Sequence, residues 1–140
     1  MGLIFTENAT DVVIEHCKIS AAGNAAIWLN TASSHVTVRG NWIEDAAFCG
    51  VYAMGWWVGD AGSYYKGAAT TAADTYVNHH HTITDNVIHN VGRFNAGAAG
   101  VWLDASGENL VSRELLLLLL PSLLLAPCSA PCVAPCSDPC

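Results

Sequence analysis

Apolar and polar residues alternate along this chain in short phrases, and the phrases recur. Val12-Val-Ile-Glu-His-Cys-Lys-Ile19, Val36-Thr-Val-Arg-Gly-Asn-Trp-Ile43 and His81-Thr-Ile-Thr-Asp-Asn-Val-Ile88 are three copies of one pattern. A shorter phrase follows each copy: Ala26-Ile-Trp-Leu29, Gly50-Val-Tyr-Ala53 and Gly100-Val-Trp-Leu103. Gly2-Leu-Ile-Phe5 is an isolated copy of the shorter phrase, and Asn109 to Ser112 begins another copy of the longer one. A period of two is the signature of a strand, with Val12, Ile14, Val36, Val38 and Ile83 on one face and their neighbours on the other. One such unit has too few residues to bury a core alone. Stacked on the next unit about 4.8 Å away, it contributes to a continuous one. Cys17 and Asn41 are 24 residues apart, as are Leu3 and Ile27, so one coil takes about 24 residues. The pattern predicts an all-β solenoid of parallel strands with about three full coils, Ile14 lying on Val38 and Val38 on Ile83.

Three further expectations follow from that register. Cys17, Asn41 and Asn86 share a position just after a bend, beside His16, Gly40 and Asp85. Such a bend calls for left-handed backbone angles, and stacked Asn amides can pair from coil to coil. Glu15 and Arg39 are outward neighbours in adjacent coils and suit a cross-strand ion pair. In the shorter phrase Ile27, Leu29, Val51, Ala53, Val101 and Leu103 turn inward. Trp28, Tyr52 and Trp102 then point outward one above another, with Ile4 at the same place in the first coil.

The period breaks twice. Asn41 to Asn86 spans 45 residues, about 21 more than a coil, so a loop is inserted over 55–80. It carries Trp56, Trp57, Tyr64 and Tyr65. A long loop without periodicity of its own tends to be functional, although a flap packed on its own aromatics is an alternative. A smaller insertion, Asn90 to Ala99, carries Arg93 and Phe94. After Ser112 the repeat fails, which divides the chain into repeats over 1–114 and a low-complexity Leu/Pro/Cys tail over 115–140. The apolar run there is interrupted by Pro121 and falls short of the roughly 20 residues that span a bilayer, so no membrane span is expected. Cys128, Cys132, Cys136 and Cys140 recur every fourth residue, unlike the paired cysteines of zinc knuckles.

The Val-x-Ile-x-x-Asn-x-Ile and Gly-Val-Trp-Leu phrases, and above all the stretch from Asn86 to Leu103, resemble the right-handed parallel β-helix repeats of pectin-lyase-like proteins. Members associated with polysaccharide degradation are the most similar in pattern. The resemblance covers about residues 2–114 and implies a right-handed, truncated β-helix that starts within a coil. It also implies a carbohydrate-active protein, glycoside hydrolase before polysaccharide lyase, with a polysaccharide or oligosaccharide as partner. A non-catalytic surface or adhesion β-helix, or an inactive remnant, remains open, because this fold hosts many functions. The resemblance suggests secretion or the cell surface. No signal peptide precedes the Gly2 phrase, so the location is left unassigned.

Charge narrows the partner. Twelve acidic residues against five Lys and Arg give a formal charge of −7, which provides no basic face for nucleic acid. The same balance disfavours a direct grip on a polyanionic glycan unless calcium bridges the carboxylates, as a lyase-like activity would require. Otherwise no cofactor is called for. Sugar rings stack their C–H faces on aromatic planes, which selects Trp28, Tyr52, Trp102, Trp56 and Trp57 as binding residues, with His89 and Arg93 on the opposite rim. Cleavage of a glycosidic bond needs two carboxyls. Asp104 leaves its strand on the face of Trp102 and is the first candidate, followed by Asp60 in the insertion and Glu44. The His79-His80-His81 triplet is not assigned to a metal. On a strand only His79 and His81 share a face, and the register sends His81 into the core.

Overall fold

A computed structural model of the chain describes residues 2–55, 78–95 and 97–117. Twelve short strands run through them: β1 (Ile4–Thr6), β2 (Val13–Glu15), β3 (Lys18–Ser20), β4 (Ile27–Leu29), β5 (Thr37–Arg39), β6 (Trp42–Glu44), β7 (Val51–Met54), β8 (Thr82–Thr84), β9 (Val87–His89), β10 (Val101–Asp104), β11 (Leu110–Ser112) and β12 (Leu115–Leu117). They form three four-stranded sheets in the orders β1-β4-β7-β10, β2-β5-β8-β11 and β3-β6-β9-β12. Every pairing is parallel. Between β1 and β10 the chain makes three full coils, and β11 and β12 continue onto the next.

The stacking follows the alternation. Ile14 pairs with Val38 and Val38 with Ile83 in the second sheet, and Ile19, Ile43 and Ile88 are aligned in the third. Ile27 and Val51 face the same core from the first, and all eight are buried. Full burial of such side chains stabilises by about 1.5–3 kcal/mol each. Glu15 and Arg39 form the expected cross-strand pair at 2.5 Å, largely exposed and so worth little beyond register.

The eight-residue phrase is split at the bend into two strands, which gives three strands per coil. At the bend His16, Gly40, Asp85 and Arg113 have φ of 54°, 63°, 59° and 55°, the left-handed region expected there. Directly after it runs an amide ladder. Asn41 Oδ1 accepts from the Cys17 N–H at 3.0 Å. Asn86 Oδ1 accepts from the Asn41 N–H and from Asn41 Nδ2, both at 3.0 Å. The amide nitrogens of Asn41 and Asn86 donate to the Ile14 and Val38 carbonyls at 2.9 and 3.0 Å. Glu114 takes the next rung, its Oε1 accepting from the N–H and side chain of Asn86 at 3.3 and 3.1 Å. Leu115–Leu117 then pair with β9, so the strand pattern runs three residues into the stretch read from the sequence as a low-complexity tail. The stretch beyond Leu117 and most of the 55–80 insertion lie outside the described residues.

One register differs from expectation. Ile4, not Leu3, pairs with Ile27, and Phe5 pairs with Trp28. The spacing is 23 residues here and not 24. A one-residue slip exchanges the two faces of a strand. It brings Ile4 against the core, sets Phe5 in the outward aromatic column in place of Ile4, and leaves Leu3 60 % exposed. Thr6 becomes the inward partner of Leu29 and accepts from the Ser33 hydroxyl at 3.3 Å.

His81 is buried, as its register requires. Its Nδ1 accepts from the Val36 N–H at 3.2 Å, so Nε2 carries the proton and donates to Asn78 Oδ1 at 3.1 Å. Burial, and then the neighbouring histidines, hold its pKa down to about 4, so the ring is a neutral part of the core. Asn78 in turn donates to the carbonyls of Leu29 and Asn30, each at 3.1 Å.

Candidate carbohydrate-binding face

The first sheet sets one aromatic residue per coil on its outer face, because Phe5, Trp28, Tyr52 and Trp102 are paired in register. Ring centroids lie 6.0 Å apart for Phe5–Trp28, 5.0 Å for Trp28–Tyr52 and 6.0 Å for Tyr52–Trp102. Their tilted and edge-on geometries are those that aromatic quadrupoles favour. Phe48, from the turn before β7, wedges against both Tyr52 and Trp102 at 5.6 and 5.3 Å. Its side chain was not singled out in the sequence because it lies outside the strand alternation. Tyr52 is only 9 % exposed and fills the middle of the column, whereas Trp102 is 36 % exposed.

Asp104 ends the strand of Trp102. Tyr52 donates its hydroxyl to Asp104 Oδ2 at 3.0 Å. Burial, and secondly the Asp104 charge, raise the Tyr52 phenol well above its ordinary range, so it remains a donor at any physiological pH. The column thus carries a carboxylate at its edge, oriented by a buried phenol.

Beyond the third sheet, the turns after β3, β6 and β9 enclose an open pocket of about 450 Å³, lined by Ala21, Ala22, Gly23, Asp45, Ala47, Arg93 and Phe94. Asp45 accepts from Asn90 and, at 3.3 Å, from Arg93. The Arg93 guanidinium lies 6.0 Å from the centre of the Phe94 ring, which is 85 % exposed. Ala47 in the pocket wall adjoins Phe48 of the column in the chain, so pocket and column are neighbours.

Glu44 and His89 belong to another face. Both are outward residues of the third sheet, in β6 and β9, and they pair with each other: His89 Nε2 lies 3.1 Å from Glu44 Oε2. Glu44 also accepts from Trp42 Nε1 at 2.7 Å and meets Lys18 Nζ at 2.9 Å. These donors, Trp42 first, hold its pKa down to about 2. A carboxyl ionised at that pH cannot be a proton donor near neutrality, and its partners occupy both oxygens. The fold does not bring Glu44 to Asp104. Asp60, Trp56 and Trp57 lie outside the described residues.

Stacked parallel strands, an internal amide ladder and aligned outer side chains define the solenoid class of β proteins. The chain belongs to the right-handed β-helix family, whose model for the right-handed β-helix region matches residues 1–114. No curated protein and no solved structure matches the chain. Among the described residues no helix is long and apolar enough to cross a membrane.

Proposed function

We propose that the outer face of the first sheet, with the adjoining pocket, binds a neutral or weakly charged polysaccharide. The observation that carries this reading is the Phe5–Trp28–Tyr52–Trp102 column, exposed at Trp102 and ending in Asp104. A flat indole offers a surface for the C–H face of a pyranose, and a carboxylate beside it accepts from sugar hydroxyls. The pocket of about 450 Å³ is large enough for a further sugar unit, with Arg93 as donor and Phe94 as platform. A net charge of −7 favours an uncharged glycan over a uronate chain.

In this reading Asp104 is the carboxylate nearest the bound sugar. It is one of the two carboxyls that a hydrolase requires. The test is a panel of neutral and acidic polysaccharides offered to the full chain and to Asp104→Asn. Retained binding with loss of reducing-end release in Asp104→Asn supports hydrolysis. Binding without turnover in the wild type supports a lectin-like surface. Failure to bind any neutral glycan overturns the proposal.

A further inference from the structure

At the corner between the first and second sheets the coils are joined by single bridges, Thr10 to Ser34, Ser34 to His79 and His79 to Gly107. The residue after each bridge is left-handed: Asp11, His35, His80 and Glu108 have φ of 58°, 54°, 58° and 55°. An extended backbone sends consecutive side chains to opposite sides. The left-handed turn at His80 instead swings its ring round to the side of His79. The two Nδ1 atoms approach to 2.6 Å, and His80 Nδ1 lies 3.2 Å from Glu108 Oε2 on the following coil. The His35 ring stacks on His80 at 5.0 Å with planes 12° apart and meets His79 edge-on at 5.8 Å, which fixes the orientation of both.

We propose that His79, His80 and Glu108 form a transition-metal site, with zinc as the first candidate. Two imidazole lone pairs cannot face each other at 2.6 Å, so a proton or a metal ion must lie between them. Metal–nitrogen bonds of about 2.0–2.1 Å in a tetrahedral site set the nitrogens roughly 3.3 Å apart, a small opening from the observed geometry. Two imidazoles and one carboxylate suit zinc, nickel or copper, not calcium, which takes six or more oxygens. Three protein ligands leave a fourth position for water or an external group. His80 and Glu108 side chains are 47 % and 68 % exposed, so an ion reaches them without unfolding. Because Glu108 belongs to the coil after the two histidines, the ion also staples neighbouring coils. His35 makes no ligand bond here and acts by positioning His80.

The test is calorimetric titration of the full chain with Zn²⁺, alongside the imidazole resonances and the melting temperature. The chain has six cysteines, which also take zinc, so the site is read as the difference between wild type and the double variant His79→Ala/His80→Ala. One equivalent should vanish in the double variant, together with the zinc-dependent rise in melting temperature. Glu108→Gln should weaken that equivalent about tenfold. His35→Phe, which keeps a stacking ring, should change it less than about threefold. His80→Gln provides the same comparison if the double variant does not fold. Equal stoichiometry and affinity in wild type and His80→Gln, or zinc binding that leaves the His79 and His80 resonances unmoved, overturns the site.

Discussion

Replacing Asn86 with alanine removes the central rung of the amide ladder. The Asn86 side chain is fully buried and takes part in four hydrogen bonds, with the Asn41 N–H, Asn41 Nδ2, the Val38 carbonyl and Glu114 Oε1. Asn41 Nδ2 retains the Ile14 carbonyl, but the Asn41 N–H and the Val38 carbonyl lose these side-chain partners. At about 1 kcal/mol per net hydrogen bond, and more where a buried group is stranded, the expected cost is about 3–5 kcal/mol. That is a large part of the roughly 5–15 kcal/mol that holds a domain of this size together. Urea unfolding followed by circular dichroism measures it, with the outward Thr37→Ala as control. Asn86→Asp sharpens the test, since it keeps the shape and Oδ1 but turns an oxygen toward the Val38 carbonyl and Glu114. Its cost should grow as pH rises and the new carboxyl ionises. A loss below about 1 kcal/mol for Asn86→Ala would refute the idea that the ladder holds the coils in register.

Gly50→Ala should destabilise the fold by about 1–3 kcal/mol, because the added Cβ would lie 2.6 Å from the Gly100 carbonyl and from Ile88; a denaturation midpoint equal to wild type would count against this tight stacking. Glu114→Gln should stabilise, because Glu114 Oε2 is buried without a partner and the substitution removes a charge that burial disfavours. Burial raises the Glu114 pKa, so its contribution is full below about pH 4.5 and falls as pH climbs through the folded value; the gain from Glu114→Gln should therefore increase with pH, and a pH-independent difference would contradict it. Glu44 has the opposite sign: held down to about 2, its contribution is full above about pH 4.5 and lost as pH falls toward 2, so wild type and Glu44→Gln should converge in acid melts.

Much of the fold was legible because a parallel stack repeats its contacts. Ile14, Val38 and Ile83 occupy one place in three phrases, and the same spacing sets Asn41 above Asn86. The aromatic column was legible for that reason too. What stayed hidden depends on local departures from the repeat. The first coil is one residue short, which replaces Ile4 by Phe5 in the column. Glu114 takes an Asn position that no pattern of amides announces. Phe48 packs from a turn, where alternation says nothing of direction. His79 and His80 meet because a left-handed residue overrides the alternation of a strand. Glu44 and Asp104, both outward and acidic, lie on different sheets, a separation that depends on where each phrase bends.

The glycan-binding account is tested most directly by the indole N–H resonances of the full chain during titration with a neutral oligosaccharide. Trp102 on the first sheet and Trp42 on the third are both substantially exposed, at 36 % and 43 %, so each serves as the other's control. The Trp102 resonance should shift with saturation, accompanied by Phe48 and Asp104, while Trp42 stays still. Trp102→Ala should then weaken binding by roughly 1–3 kcal/mol. A shift at Trp42 with none at Trp102, or unchanged affinity in Trp102→Ala, would contradict the assignment of the first-sheet face.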